Sequence, residues 1–274
     1  MSSKILDVKN LTKKFRDLIA VNSISFSVEL GEIFGLVGPN GAGKTTTVKM
    51  LTTLLPPTSG IATVAGCDVI RQAPQVRRII GYVPQLLSAD GSLTGYENLL
   101  IFAKLYDIPK RGREKLIEDS LHFMGLSESA DKLVRSYSGG MIRRLEIAQA
   151  VLHRPRVLYL DEPTVGLDPV AREAVWKYVG ALAKDGTTIV MTTHYMEEAD
   201  AMCDNVAIMN HGKIAAMGSP DELKATIPHN GEPVSLNKVF EYYAGDTLES
   251  SEAEGSRKEF RDVSRTRRTV RRLG

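Results

Sequence analysis

The apolar positions in the first third of the chain come in short runs rich in β-forming residues. Ile5–Val8, Ser23–Val28, Ile33–Val37 and Ile61–Val64 predict strands. A helical pattern then runs from near Gly43 to about Leu54, where Pro56 and Pro57 stop it. The middle changes period. Tyr96–Tyr106 and Arg113–Met124 predict helices with little strand between them, a helical insert over about residues 86–135. Met141–Leu152 carries Ile142, Leu145, Ala148 and Leu152 at helical spacing. Val157–Leu160 is apolar at every position, the pattern of a strand buried on both faces of a parallel sheet, and Thr187–Thr192 predicts a second buried strand. Between them, Asp168-Pro169 supplies a helix cap and a first-turn proline. Beyond Ala225 the pattern weakens, and from Asp246 Glu, Ser, Gly and Arg dominate, as in a disordered tail.

Composition adds limits. The chain has 274 residues, of which 43% are hydrophobic and 25% charged, enough for a sizeable core in one domain with subdomains. The net charge is only +2, but residues 257–274 hold eight Arg or Lys against Glu259 and Asp262, so the body is mildly acidic. That body offers no basic stripe suited to nucleic acid. The basic run, with Arg265, Arg267, Arg268, Arg271 and Arg272, reads first as a solvated tail. Cys67 and Cys203 show no framework spacing, which suits a reducing compartment. The start, MSSKILDVKN, has no leader pattern, and no apolar run reaches the roughly 18 residues of a membrane span. A partner would have to supply any span.

The chemistry begins at Gly38. Gly38, Pro39, Asn40, Gly41, Ala42, Gly43, Lys44 and Thr45, followed by Thr46, fit G-x-x-x-x-G-K-[ST] between a predicted buried strand and a predicted helix. The glycines let backbone N–H groups turn inward on an anion, and the helix N-terminus adds partial positive charge. Lys44 can reach the β- and γ-phosphates of ATP, and the Thr45 hydroxyl can ligate Mg²⁺. Farther on, the strand Val157–Leu160 runs into Asp161 and Glu162 at the edge where open α/β folds bind ligands. Asp161 can hold Mg²⁺ through water, and Glu162 can act as the base on the attacking water. ATP binding and hydrolysis are therefore expected. Ser138-Gly139-Gly140, at the start of a helix, could present further donors to phosphate, although in isolation it reads as a turn with Ser138 as cap.

Taken together, these segments resemble the ATP-binding cassette ATPases, the nucleotide-binding subunits of ABC transporters. GPNGAGKTT resembles the family's Walker A motif, YSGGM its signature, VLYLDEP its Walker B motif, Gln85 in YVPQ its Q-loop, Val165–Asp168 its D-loop and His194 in TTHYMEEAD its H-loop, in order and over about residues 4–226. The resemblance implies a P-loop α/β fold with a mixed central sheet, an N-terminal antiparallel β subdomain and a helical subdomain. It implies two cassettes meeting head to tail, so that Ser138, Gly139 and Gly140 act on the partner's ATP. His194 would touch the γ-phosphate, Gln85 would sense Mg²⁺ and the membrane subunit, and Phe15 would stack on adenine. An integral membrane permease, a second copy of the chain and a place on the cytoplasmic face of the cell membrane follow from the same likeness. Met141 departs from the glutamine usual at the end of the signature, while the phosphate donors are unchanged.

YSGGM, GLDPVAR and THYMEEAD are similar to the drug- and antibiotic-efflux cassettes, with residues 227–245 as a C-terminal extension in which Val234–Phe240 resembles their terminal element. Cassettes for lipids, polysaccharides or ions are the alternative within transport. Soluble cassettes of DNA repair would need a coiled-coil or zinc insertion, and translation factors usually carry two cassettes.

Overall fold

The predicted strands pair into two sheets in the computed structural model, which describes residues 4–228 and 233–243. The first sheet is antiparallel. Its strands are β1 (Lys4–Phe15), β2 (Leu18–Glu29), β4 (Ser59–Val64) and β5 (Cys67–Asp68), in the order β2-β1-β4-β5. β1 is three times the length expected, 12 residues, and the excess has a physical reason. Its pairing with β2 shifts register between Val8 and Leu11 and again before Lys13, and Asn10 sits at φ 49°. Such a bulge breaks the two-residue alternation on which a strand reading depends. Ser23, at φ 52° in β2, marks where the apparent start of that strand fell.

The second sheet is mixed and carries the chemistry. Its order is β10-β9-β3-β8-β7-β6, with β3 (Ile33–Val37), β6 (Ile80–Val83), β7 (Val157–Asp161), β8 (Thr188–Thr193), β9 (Asn205–Asn210) and β10 (Lys213–Gly218). β3, β7 and β8 are buried at every residue, as the apolar runs Ile33–Val37, Val157–Leu160 and Ile189–Met191 within them predict. All pairs are parallel except β9–β10, an edge hairpin turned by His211 and Gly212, both at positive φ. Positive φ at both turn residues matches the twist of paired strands. β6, β9 and β10 carried no strand signal in the sequence reading. They are four to six residues long, and β6 follows a helix without a break.

Helices α1 (Lys44–Leu51) and α2 (Ala73–Ile79) follow the first strands. α3 (Gly95–Leu105) and α4 (Lys110–Phe123) form the helical insert and pack on each other and on α5 (Gly139–Val151). Thr94 and Glu97 close a capping box at the start of α3. α4 holds a kink at Arg111 and Gly112, which explains why its sequence signal begins only at Arg113. α6 (Pro169–Lys184) is capped by Asp168, whose carboxylate accepts the Ala171 N–H, and α7 (Met196–Met202) follows β8.

The chain divides after Pro220 into two compact units. α8 (Pro220–Ala225) begins at the division, and among the described residues of the second unit it is followed by a helical stretch at 236–243. Leu223, Ile227, Leu236 and Val239 are buried, and the Tyr243 hydroxyl donates to Thr226 Oγ1 at 3.1 Å. The tail expected from residue 246 lies outside the described residues. No helix among the described residues is long and apolar enough to cross a membrane.

Candidate active site

Three strands of the mixed sheet end side by side. Val37 pairs with Thr193, and Asp161 pairs with Thr192. The register therefore brings the loop after β3, the acids ending β7 and the Thr-Thr-His ending β8 to one carboxyl edge, although they are far apart in sequence.

The loop from Gly38 to Gly43 depends on its glycines. Gly38 sits at φ 152°, and a Cβ there would lie 2.1 Å from the Met209 carbonyl oxygen of β9. Gly43, at φ 103°, would place one 2.5 Å from the Ala20 carbonyl. Backbone atoms cannot yield as a flexible side chain can. Gly38→Ala is expected to destabilise the protein by about 3 kcal/mol, measured by thermal unfolding. An unchanged midpoint would show that β9 moves aside freely.

Lys44 opens α1 and folds back over the loop. Its Nζ donates to the Gly38 carbonyl at 2.7 Å and to the Pro39 carbonyl at 3.1 Å, and lies 3.2 Å from Glu162 Oε1. Lys44 and Glu162 are both 4% exposed. The Glu162 carboxylate is shared, since Oε2 lies 2.5 Å from His194 Nδ1. Glu162 itself is at φ 51°. A non-glycine residue persists there only when its surroundings over-determine it, and here the Glu162 N–H is held by both the carbonyl and the hydroxyl of Thr192.

Asp161 is 1% exposed. Its Oδ1 accepts the hydroxyls of Thr45 at 3.0 Å and Thr192 at 2.6 Å, while Oδ2 is buried without a hydrogen-bond partner. A buried orphan carboxylate oxygen beside a threonine hydroxyl fits Mg²⁺, a hard cation that takes oxygen ligands and keeps its waters. Among the described residues no group of three or more His, Cys, Asp or Glu converges on a metal, so the ion would borrow oxygens from substrate phosphates, as Mg²⁺ commonly does. Burial, and then the negative charge of Asp161, push the neighbouring Tyr82 phenol up to about 12, which keeps it neutral.

A cleft of about 480 Å³ opens on this edge. Phe15, Asn40, Gly41, Ala42, Gly43, Lys44, Thr45, Thr46, Gln85 and Glu162 line it, together with Leu18 and Ala20. Phe15 is 43% exposed, with Lys13 Nζ 5.1 Å from its ring centre. An exposed ring on a cleft wall is an available stacking face. Ser138, Gly139 and Gly140 do not line this cleft. Ser138 caps α5 through the Met141 N–H at 3.3 Å, Ser138 and Gly139 are exposed, and Gly140 packs so closely on Ala171 that a Cβ would lie 2.7 Å from the alanine methyl.

Two parts of the site escaped the sequence reading. Thr192 bridges Asp161 and Glu162, and the Thr-Thr-His run at the end of an apolar strand was the available signal. Glu198, 5% exposed, accepts the hydroxyls of Thr164 at 2.5 Å and Thr193 at 3.0 Å and so ties the segment after Glu162 to the one before His194. Nothing in the spacing of Glu198 announces that role.

Comparison with known proteins agrees with this geometry. A family model described as ABC transporter matches residues 21–165. The Nod factor export ATP-binding protein I of Burkholderia orbicola is 43% identical over 81% of this chain and 73% of its own length. A daunorubicin/doxorubicin resistance ATP-binding protein of Streptomyces peucetius is 42% identical over 83% of this chain and 69% of its own. A solved structure titled as the ATP binding subunit of an ABC transporter superposes with a TM-score of 0.78 at 28% identity, covering 88% of this chain and 99% of that one.

Proposed function

The chain belongs to the ABC transporter family as an ATP-hydrolysing, ATP-binding subunit, and from that premise we propose that it powers a drug- or multidrug-type exporter as one half of a head-to-tail dimer. The observation that carries the reading is the meeting of Lys44, Thr45, Asp161, Glu162 and His194 at one sheet edge. Lys44 holds the β- and γ-phosphates of ATP, and Phe15 stacks on the adenine. Thr45, Asp161 and Gln85 hold Mg²⁺, which neutralises phosphate charge when bound. Glu162 takes the proton from the attacking water, and His194 orients that carboxylate and the γ-phosphate. Residues 1–226 form the ATPase domain, with 227–245 as its extension.

The placement of the signature residues supports the dimer. Ser138 and Gly139 are exposed and stand off the chain's own cleft, so a second copy is the means by which they reach an ATP. A permease supplies the membrane span, and the chain works against it at the cytoplasmic face of the membrane. The surface offered to that permease follows Gln85. Leu86 is 81% exposed, Leu87 52% and, one turn apart on α3, Ile101 43% and Leu105 70%. Leu86 and Leu87, exposed and adjacent to Gln85 in the chain, support a contact there with the permease. One relative named above is called after Nod factor export and another after daunorubicin/doxorubicin resistance, and the cargo is set by the permease.

The test is co-expression with a candidate integral membrane permease. The chain is expected to hydrolyse ATP in a Mg²⁺-dependent way and to sediment with permease-bearing membranes. Leu86→Asp is expected to release it into the soluble fraction by about tenfold, as loss of a central apolar contact does, with ATP binding intact. Sedimentation of wild type and variant alike, or recovery only with ribosomes or DNA, would count against this reading.

A further inference from the structure

The loop after β6, which carries Gln85, is not held as surface loops usually are. Arg143 and Glu146, on one face of α5, are each 2% exposed. The Arg143 guanidinium donates through Nη1 to the Pro84 carbonyl at 2.7 Å and to Glu146 Oε2 at 3.0 Å, and through Nη2 to the Gln85 carbonyl at 2.8 Å. Glu146 Oε1 accepts the Ser88 N–H, the Ser88 hydroxyl at 3.1 Å and the Ala89 N–H at 3.3 Å. One turn on, Gln149 Nε2 donates to Asn98 Oδ1 at 3.2 Å, and Asn98 bonds both the N–H and the carbonyl of Asp90. Residues 143, 146 and 149 thus grip the loop at Pro84, Gln85, Ser88, Ala89 and Asp90. Gln85 leaves this grip with its backbone fixed and its side chain exposed on the ATP cleft. The other end of the same helix begins at the exposed Ser138 cap.

A buried ion pair of this kind does not open easily, because separating it leaves a charge uncompensated in the interior. Arginine also suits the task in a way lysine does not. Its planar fork serves two carbonyls and a carboxylate at once, where a single ammonium must choose. Burial pulls the guanidinium's pKa down, while the negative charges of Glu146 and then Asp161 oppose that pull.

We propose that Arg143 and Glu146 are positioning residues for ATP hydrolysis: they lock the Gln85 backbone to the helix that begins at Ser138, so that a displacement at either end is delivered to the other. The proposal rests on the preceding reading that Gln85 reaches Mg²⁺ and that Ser138 meets the partner's ATP. The link lies in hydrogen bonds to main-chain atoms, so it does not depend on the rotamer of Gln85.

The experiment compares wild type, Arg143→Lys and Glu146→Gln, both conservative enough to keep the core filled. Steady-state ATPase is measured against ATP and against Mg²⁺, with equilibrium binding of ATP in the absence of Mg²⁺ as the reference. Both variants are expected to bind ATP as wild type does, to lose about tenfold in kcat and to need about tenfold more Mg²⁺ for half-maximal rate, the usual scale for removing an outer-shell support. Amide exchange at Ser88 and Ala89 is expected to quicken in Glu146→Gln. Wild-type kcat and Mg²⁺ dependence in both variants would overturn the proposal. So would a loss of turnover matched by an equal loss of ATP affinity or of thermal stability, since the pair would then only hold the core. Absence of ATPase in the wild type would instead sink the underlying reading.

Discussion

Replacing Lys44 with alanine is expected to abolish ATP turnover and to weaken ATP binding by at least about 100-fold, close to 3 kcal/mol. The Lys44 ammonium already satisfies three acceptors, the Gly38 and Pro39 carbonyls and the Glu162 carboxylate. A phosphate oxygen is an acceptor of the same kind with more charge, and charge-assisted hydrogen bonds are about twice as strong as neutral ones. The alanine leaves the loop glycines and the helix N-terminus to hold the anion without a full positive charge. It also leaves the Glu162 carboxylate with the His194 ring as its remaining side-chain partner. Since breaking a buried pair costs about 3–5 kcal/mol, a lower unfolding midpoint is expected as well. Titration calorimetry at a temperature well below that midpoint separates the two effects. Normal affinity there would remove Lys44 from the phosphate site.

Glu162→Gln is expected to behave oppositely. It should retain ATP binding and lose turnover by about 100-fold or more, about 3 kcal/mol of barrier. The amide keeps the length of the side chain and an oxygen for Lys44, but it cannot accept a proton from water. The backbone that sets the residue at φ 51° is held by Thr192 rather than by the carboxylate, so its placement survives. Single-turnover measurement with bound ATP checks this directly. Turnover within a few-fold of wild type would reassign the base, with His194, 2.5 Å from the same carboxylate, as the next group to examine.

Much of this site was legible in the chain before folding was considered. The loop Gly38–Thr45, the apolar run into Asp161-Glu162 and the segment ending in His194 are each local, and a strand's carboxyl end fixes where its following residues point. The strands of the first sheet, the helices of the insert and the Asp168 cap were legible for the same reason, because periodicity and capping are short-range properties, whereas the antiparallel pairing of those strands came only from the family resemblance. The strand pattern fades where alternation breaks, at the Asn10 and Ser23 bulges, and where strands are four to six residues long beside other elements, as in β6, β9 and β10.

What tertiary structure alone decided was which distant groups share an oxygen. The pairing of Asp161 with Thr192 and of Val37 with Thr193 is a choice of strand order, and a sequence of local patterns does not encode it. From that register come the Thr192 bridge, the orphan oxygen of Asp161 and the sharing of Glu162 between Lys44 and His194. The grip of Arg143 and Glu146 on the Gln85 loop has the same origin: helical spacing put them on one face, but burial against that loop made them its anchor. The sequence by itself determined the chemistry at each strand end. Folding decided their order along the edge, because hydrogen bonds between strands reward register across the sheet and not proximity along the chain.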